Sequence, residues 1–364
     1  MKQYIPQMEP LISDADATAV SDYMKSGGWI TEFRQTRLFE QSIAGYTGAR
    51  HCAAAPSGTM ALFLALAACG VGRDDEVIVP SLTMAASATA AILAGARVVF
   101  SDIEADTLCL DFDRAEQAMS ARTRAVVFVS LNGRCPPGLD SFVARCRSRG
   151  IKVIEDAAQS LGSFSGGRHL GTFGDCGCLS FSSQKLVTTG QGGAVVTDDA
   201  DLHEKIRRLR DFGRTEGGAD HYPSVGWNLK FTDLQAVLGI EQMRRLPELV
   251  ARKRRIFELY REHLTGIAAV EIPRTDLTSV TPWFVDVLAD KDVKRPLMKH
   301  LHENGVGSRL MYPALHREPA FATAGSFPIA ETISARGLWL PSSLRLEPAD
   351  VAQICTLIRE FFAR

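Results

Sequence analysis

From about Cys52 to Asp198 the chain alternates short β-branched apolar runs with longer stretches of helical spacing. The runs at 76–79, 97–100, 125–130, 152–155, 178–181 and 194–197 are bounded by Gly, Pro or Asp and read as strands. Between several of them lie helical stretches, among them 59–69, 87–94 and 138–149. Continuously apolar strands separated by helical spacers predict a largely parallel sheet covered on both faces. The fold class is α/β. After Phe231 the pattern changes. Residues 232–263 carry helical periodicity, with Pro247 as a break or kink and Gly266 as a stop. A strand is predicted at 283–288, a helix at 296–304 ended by Gly305, and a closing helix at 347–362. Val351, Ile354, Ile358 and Phe361 share one face of the last. The shift divides the chain into residues 1–244, an N-terminal arm and a large α/β domain, and residues 245–364, a smaller C-terminal α+β domain.

Composition narrows the class. With 364 residues, 46% of them hydrophobic, the chain can bury a core of this size. Lys and Arg total 41 against 42 Asp and Glu, with no charge run, which argues against a nucleic-acid surface or a polybasic membrane patch. The first ten residues lack the apolar centre of a signal peptide, and the longest apolar run, 60–71, is too short to span a bilayer. A soluble cytoplasmic protein is expected, with neither nucleic acid nor membrane as partner. Eight cysteines are scattered without a Cys-x-x-Cys pair. Cys176-Gly-Cys178 suits one face of a strand and has no further ligand nearby; His300-Leu-His302 also lacks partners. No metal is expected, and the thiols read as reduced and mostly buried.

Chemistry concentrates in three places. Lys185 lies in Ser180-Phe-Ser-Ser-Gln-Lys185, between an apolar strand and the glycine-rich Gly190-Gln-Gly-Gly193. Upstream, the strand 152–155 ends at Asp156, and ligands in open α/β sheets bind beyond the carboxyl ends of strands. A lysine able to form a Schiff base and an aspartate able to face a pyridinium nitrogen are the pair that pyridoxal 5'-phosphate chemistry requires. Gln159, three residues on, would share a helical face with Asp156 and reach the ring's phenolic oxygen. Ser57-Gly58-Thr59 opens an apolar helix, where unpaired N–H groups and the helix dipole favour a phosphate; an ordinary serine cap is the alternative. Gly190-Gln-Gly-Gly193 precedes a strand, so it fails the context of a nucleotide-binding loop and reads as a tight turn.

Glu155-Asp-Ala-Ala-Gln-Ser-Leu-Gly162, His169-Leu-Gly-Thr-Phe-Gly-Asp175 and the Lys185 segment together resemble the DegT/DnrJ/StrS family of nucleotide-sugar aminotransferases. Gly28-Trp29-Ile-Thr31, Ser57-Gly-Thr-Met-Ala-Leu62, Asp75-Glu-Val-Ile-Val-Pro80, Gly226-Trp-Asn228 and Thr232-Asp-Leu-Gln235 extend the resemblance, in collinear order, over nearly the whole chain. It implies a fold-type-I pyridoxal phosphate aminotransferase, usually a homodimer with shared active sites. By matching segments, Lys185 would carry the cofactor, Asp156 would face its ring nitrogen and Gln159 its ring oxygen. Gly58, Thr59 and Ser180 would hold the phosphate, joined by Asn228 of a neighbouring subunit; a loop asparagine making its own turn is the alternative for Asn228. Related sugar dehydratases carry histidine at the lysine position, so Lys185 implies transamination.

Three departures bear on the substrate. Met84 stands where relatives usually place an aromatic over the cofactor ring, and a thioether can make that contact. Ser130-Leu-Asn132-Gly133-Arg134 replaces a frequent His-x-Tyr-Gly; Arg134 reads as a solvated loop residue, with an anion contact as alternative. Asn228-Leu-Lys230 replaces Asn-Tyr-Arg. Trp29, Thr31, Tyr312 and His316 are candidate sugar contacts, the last two equally readable as a packed aromatic and an exposed histidine. The resemblance implies L-glutamate as donor and a nucleotide-linked keto sugar as acceptor, an NDP-4-keto-6-deoxyhexose aminated at C4 in the manner that yields perosamine. Amination at C3, a keto-cyclitol acceptor, and a cofactor-binding regulatory protein without turnover remain alternatives.

Overall fold

The computed structural model describes residues 4–215 and 220–363. Its centre is a seven-stranded sheet. The strands are β1 (His51–Ala55), β2 (Glu76–Pro80), β3 (Arg97–Ser101), β4 (Thr123–Val129) and β5 (Lys152–Asp156). A small hairpin, β6 (Phe164–Ser165) and β7 (Arg168–His169), stands apart, and β8 (Cys176–Ser180) and β9 (Gly193–Thr197) complete the sheet. Its order is β1-β9-β8-β5-β4-β2-β3. The run from β3 through β8 is parallel, while β9 is antiparallel to both β8 and β1. Two reversals restore direction, so β1 ends at the same edge as β5 and β8. That edge collects the chemistry.

Alternation along the strands explains burial on both faces. Val77 and Val79 of β2 join one apolar cluster with Leu62, Leu66, Val127 and Ile206. Ile78 joins the opposite one with Val126, Phe128 and Phe142. The covering helices are α1 (Asp14–Lys25), α2 (Arg34–Thr47), α3 (Gly58–Ala68), α4 (Ala85–Leu93), α5 (Phe112–Gln117), α6 (Leu139–Ser148) and α7 (Ala200–Arg210). The β1 strand, Cys-Ala-Ala-Ala at its centre, escaped the strand pattern because alanine carries no β-branched signal. Its pairing with β9 supplies what propensity lacks.

The rest comprises α8 (Asp233–Arg244), α9 (Leu246–Leu264), β10 (Val285–Leu288), α10 (Lys291–Glu303), β11 (Arg309–Leu310), α11 (Pro328–Arg336), β12 (Gly337–Leu340) and α12 (Pro348–Phe362). β10, β12 and β11 form an antiparallel sheet in that order. Ile5 bridges to Val306, and the Gln7 carbonyl accepts from Ser342 N–H at 2.8 Å, so the N-terminal arm runs along this smaller sheet. Pro247 marks the α8–α9 break, where the second helix begins with proline in its first turn. The helix expected at 296–304 starts five residues earlier. Asp290 caps it by accepting from Asp292 N–H at 2.9 Å, and Pro296 is carried inside. The cap decides the start, because it pairs an N–H the helix leaves free, whereas proline only removes one. No helix of the described residues is long and apolar enough to cross a membrane.

Candidate active site

The start of α3 is the first wall of the site. Ser57 Oγ accepts from Met60 N–H at 3.3 Å, and among the described residues the N–H groups of Gly58 and Thr59 have no protein acceptor. They sit at the positive end of a helix, where an anion is favoured. A Cβ added to Gly58 would lie 2.9 Å from Ser180 Cβ, and one on Gly193 would lie 2.4 Å from the Ser57 carbonyl oxygen. The helix start therefore packs directly on the Ser180 side chain, and the glycine turn packs backbone to backbone on Ser57, an approach that favours glycine at both positions. The turn itself is closed by Phe181 N–H on Gly192 O at 2.8 Å and Thr189 N–H on Phe181 O at 2.9 Å, with Gly190 at φ 76°. The loop between those bonds carries Lys185.

Asp156 ends β5 beside Cys178 of β8. Its Oδ2 accepts from Ser87 Oγ at 2.6 Å and its Oδ1 from Ala158 N–H at 3.2 Å. Burial raises its carboxyl pKa; Ser87, Ala158 N–H and the Lys185 charge oppose that rise without cancelling it. The preceding residue, Glu155, faces the other way. Its carboxylate accepts from the N–H groups of Gly171 at 2.7 Å, Phe173 at 2.5 Å and Gly174 at 2.7 Å, anchoring the loop before β8.

Lys185 Nζ lies 3.7 Å from the centroid of the Trp283 ring. Burial lowers its pKa to about 7; Asp156 opposes that shift and Arg309 adds to it. Near neutrality a large share of the amine is therefore unprotonated and nucleophilic. Trp283 is held in turn by its Nε1, which donates to Gln184 O at 2.8 Å. Ala158, Gln159, Ser180, Leu186, Thr281 and Trp283 line the cavity around this amine.

Several expected residues are placed differently from the sequence reading. Gln159 does not continue a helix from Asp156: the chain turns after β5, with Gly162 at φ 86°. The turn still aims Gln159 into the cavity, where its Oε1 accepts from Asn132 N–H at 2.7 Å and its Nε2 lies 3.3 Å from Tyr312 Oη. Arg134 is not a solvated loop residue. It is 2% exposed, with Nη2 donating to both Asp286 oxygens at 2.6 and 2.7 Å and Nε donating to Thr275 Oγ1 at 3.0 Å. His316 is buried: Nδ1 lies 2.7 Å from Ser81 Oγ and Nε2 3.1 Å from Glu331 Oε1. Both ring nitrogens are thus engaged within the fold. Tyr312 is buried with its ring edge-on to Trp339.

Thr59 lies at the helix start, and Met84 caps α4 with half its surface open. Asn228, Trp29 and Thr31 are exposed. Trp29 and Thr31 line a separate cleft of about 630 Å³ with Glu32, Arg37, Arg210 and Lys230, and share no wall with the Lys185 cavity. Sequence reasoning missed Ser87, Asn132, Trp283 and Arg309. Trp283 opens a predicted strand and Ser87 a predicted helix, but nothing local says which long-range partner each meets.

A buried carboxylate at one strand end, a partly neutral lysine in the loop after its neighbour and donor-rich backbone nearby match a phosphate-bearing aldehyde with a basic ring. Residues 10–359 match the DegT/DnrJ/EryC1/StrS aminotransferase family. The chain belongs to that family. Among its relatives is the GDP-perosamine synthase of Escherichia coli O157:H7, 31% identical over 99% of each chain. Another is the UDP-N-acetyl-3-dehydro-alpha-D-glucosamine 3-aminotransferase of Acidithiobacillus ferrooxidans, 34% identical over 89% of this chain and 88% of that one. The crystal structure of the aminotransferase TlmJ from Streptoalloteichus hindustanus superposes with a TM-score of 0.93 at 31% identity, over 99% of both chains. This sugar aminotransferase is therefore a pyridoxal-phosphate-dependent enzyme of the α/β class expected from its sequence.

Proposed function

We propose that this aminotransferase moves the amino group of L-glutamate to C4 of a nucleotide-linked 4-keto-6-deoxyhexose, with Lys185 as cofactor attachment point and proton carrier. The observation that supports it most is the convergence of Lys185, Asp156 and the acceptor-free Gly58 and Thr59 N–H groups at one sheet edge. Bound there, the cofactor supplies an electron sink that makes the α-proton of the donor removable. The Lys185 amine, held to about 7, takes that proton as general base and redelivers it as general acid. Asp156 keeps the ring nitrogen charged, and a cation beside it offsets the burial that raises its own carboxyl.

Gly58, Thr59 and Ser180 would hold the phosphate by hydroxyl and backbone donors. Gln159 would offer its NH₂ to the ring oxygen, and Met84 its thioether to the ring face. Asn228 is exposed, as are Trp29, Ile30, Phe33, Val225 and Trp227. Exposed apolar groups on this scale favour a covered surface. We assign that cover to a second copy, which would bring Asn228, Trp29 and Thr31 to the partner's cofactor. Tyr312 would line the sugar end, whereas His316 supports the loop that carries it.

The C4 assignment draws on the likeness to a GDP-perosamine synthase. Amination at C3 is the second reading, favoured by the comparable likeness to a 3-aminotransferase. Purified protein incubated with L-glutamate and a panel of NDP-4-keto and NDP-3-keto sugars, followed by mass spectrometry and NMR of the product, separates the two. Loss of the cofactor's visible absorbance on adding L-glutamate separates either from a binding protein without turnover. Absence of any aminated sugar across the panel would overturn the proposal.

A further inference from the structure

The bend after β4 is where this chain departs from the family pattern, and Asn132 organises it. Asn132 is 2% exposed and has left-handed backbone angles, φ 55° and ψ 29°. Few residues with a side chain adopt that conformation, and asparagine is among the most tolerant. Its side-chain amide behaves as a strand neighbour to Phe284: Nδ2 donates to Phe284 O at 2.8 Å and Oδ1 accepts from Phe284 N–H at 2.8 Å. Its main-chain N–H donates to Gln159 Oε1 at 2.7 Å. Two residues on, Arg134 grips Asp286, two residues beyond Phe284, so the bend is fastened to the start of β10 at two successive points. Gly133 between them has no room for a side chain, since a Cβ would lie 2.5 Å from Ser163 Oγ and 2.9 Å from Thr281 O.

Both ends of Asn132 lead to the reacting amine. Phe284 directly follows Trp283, and their rings stack at 3.8 Å. Trp283 in turn covers Lys185 Nζ. On the other side, occupation of Gln159 Oε1 leaves only the NH₂ end of that amide for Tyr312 Oη and the cavity. We propose that Asn132 is a positioning residue: through Phe284 it holds Trp283 over the Lys185 amine, and through its own N–H it sets which end of the Gln159 amide faces the cofactor. This rests on reading Lys185 as the reacting amine.

The chemistry of the side chain is selective. Aspartate would set an oxygen against the Phe284 carbonyl, and glycine would keep the backbone angles and the bond to Gln159 while releasing Phe284. The charged and titratable groups around Lys185 are Asp156 from β5, Arg309 from β11 and the nearby Tyr312 hydroxyl, and an Asn132→Gly change alters none of them. A change in how the amine titrates therefore reports Trp283 placement.

Competitive acetylation of cofactor-free, full-length protein, read at Lys185 by peptide mass spectrometry across pH, measures that titration without requiring turnover. Asn132→Gly is expected to admit water at the amine and raise its midpoint by about one pH unit. Pyridoxal phosphate affinity should stay within about threefold, because the bond that orients Gln159 survives. Asn132→Ser, neutral and too short to pair with both Phe284 backbone groups, should raise the midpoint too, and serves if the glycine variant does not fold. A folded variant whose Lys185 midpoint stays within about 0.2 unit of the parent overturns the proposal. So does failure of both variants to fold, which would make Asn132 a purely structural residue. Failure of the parent protein to aminate any sugar would strike the functional reading while leaving this labelling result to be judged alone.

Discussion

Glu155 and Asp156 are adjacent carboxylates on one strand, and the two-residue period of β5 gives them different work. Glu155 is turned to the rear of the sheet, where three backbone N–H groups bind it; Asp156 is turned to Ser87 and the field of Lys185. The same scale governs the amine. A lysine held to about 7 is mostly ammonium below that pH and mostly free base above it. Cofactor-free protein should therefore condense with pyridoxal phosphate faster as pH rises through about 7, reaching a plateau by about pH 8, as followed by stopped-flow absorbance. Lys185→Ala should lose the proton carrier and reduce amination by more than about a thousandfold, measured as amino sugar formed per enzyme. What could be read from sequence was the type of each side chain and its place at a strand end. Ser87 and Trp283 were invisible as partners because their contacts span 69 residues to Asp156 in one case and join two loops distant in sequence, those of Trp283 and Lys185, in the other.

Elements set the shape of the proposed phosphate site and the tie between the two sheets. In α3 the glycine at the first helical position leaves room for the approach of Ser180, so Gly58→Ala should displace the Ser180 side chain and crowd the anion. Pyridoxal phosphate affinity is expected to fall at least tenfold, about 1.4 kcal/mol, in a fluorescence titration. The Arg134–Asp286 pair ties the bend after β4 to β10. Arg134→Met leaves a buried carboxylate without its cation and should cost about 3–5 kcal/mol in denaturant unfolding. Adding Asp286→Leu should recover much of that loss, because two apolar side chains leave no charge stranded. Sequence periodicity identified β10 and the strand before the bend, yet assigned Arg134 to solvent. A loop arginine is usually exposed, and only the meeting of two distant segments buries this one.

At the scale of the whole molecule, the smaller sheet and its helices enclose a second unusual lysine. Lys253 on α9 is 3% exposed, and its Nζ donates to Ser342 O. Burial alone lowers it to about 7, with no carboxylate to oppose the shift. Because the unfolded chain binds this proton up to about pH 10.4, protonation favours unfolding between those limits. The destabilisation is fully present below about pH 7 and fades as pH rises toward the unfolded value. Lys253→Met, tested as cofactor-loaded protein so that Lys185 does not contribute, should raise Tm near pH 6.5 and lose most of that advantage by about pH 10. A calorimetric series with the same gain at both ends would refute it.

The sequence alone determined the α/β class, most strands of the parallel run, the helix start at Ser57-Gly58-Thr59 and the place of Asp156 at a strand end upstream of the Lys185 loop. Those features follow from local rules: the period of apolar residues, glycine where backbone must approach, and a carboxylate at the end of a buried strand. Tertiary structure alone decided that Arg134 and His316 are buried, that Gln159 leaves on a turn, that Asn132 meets Gln159 and Phe284, and that Trp283 stands beside the amine. Each of these depends on desolvation by segments far apart in the chain, and burial of a polar group is settled by the partner it meets rather than by its neighbours in sequence.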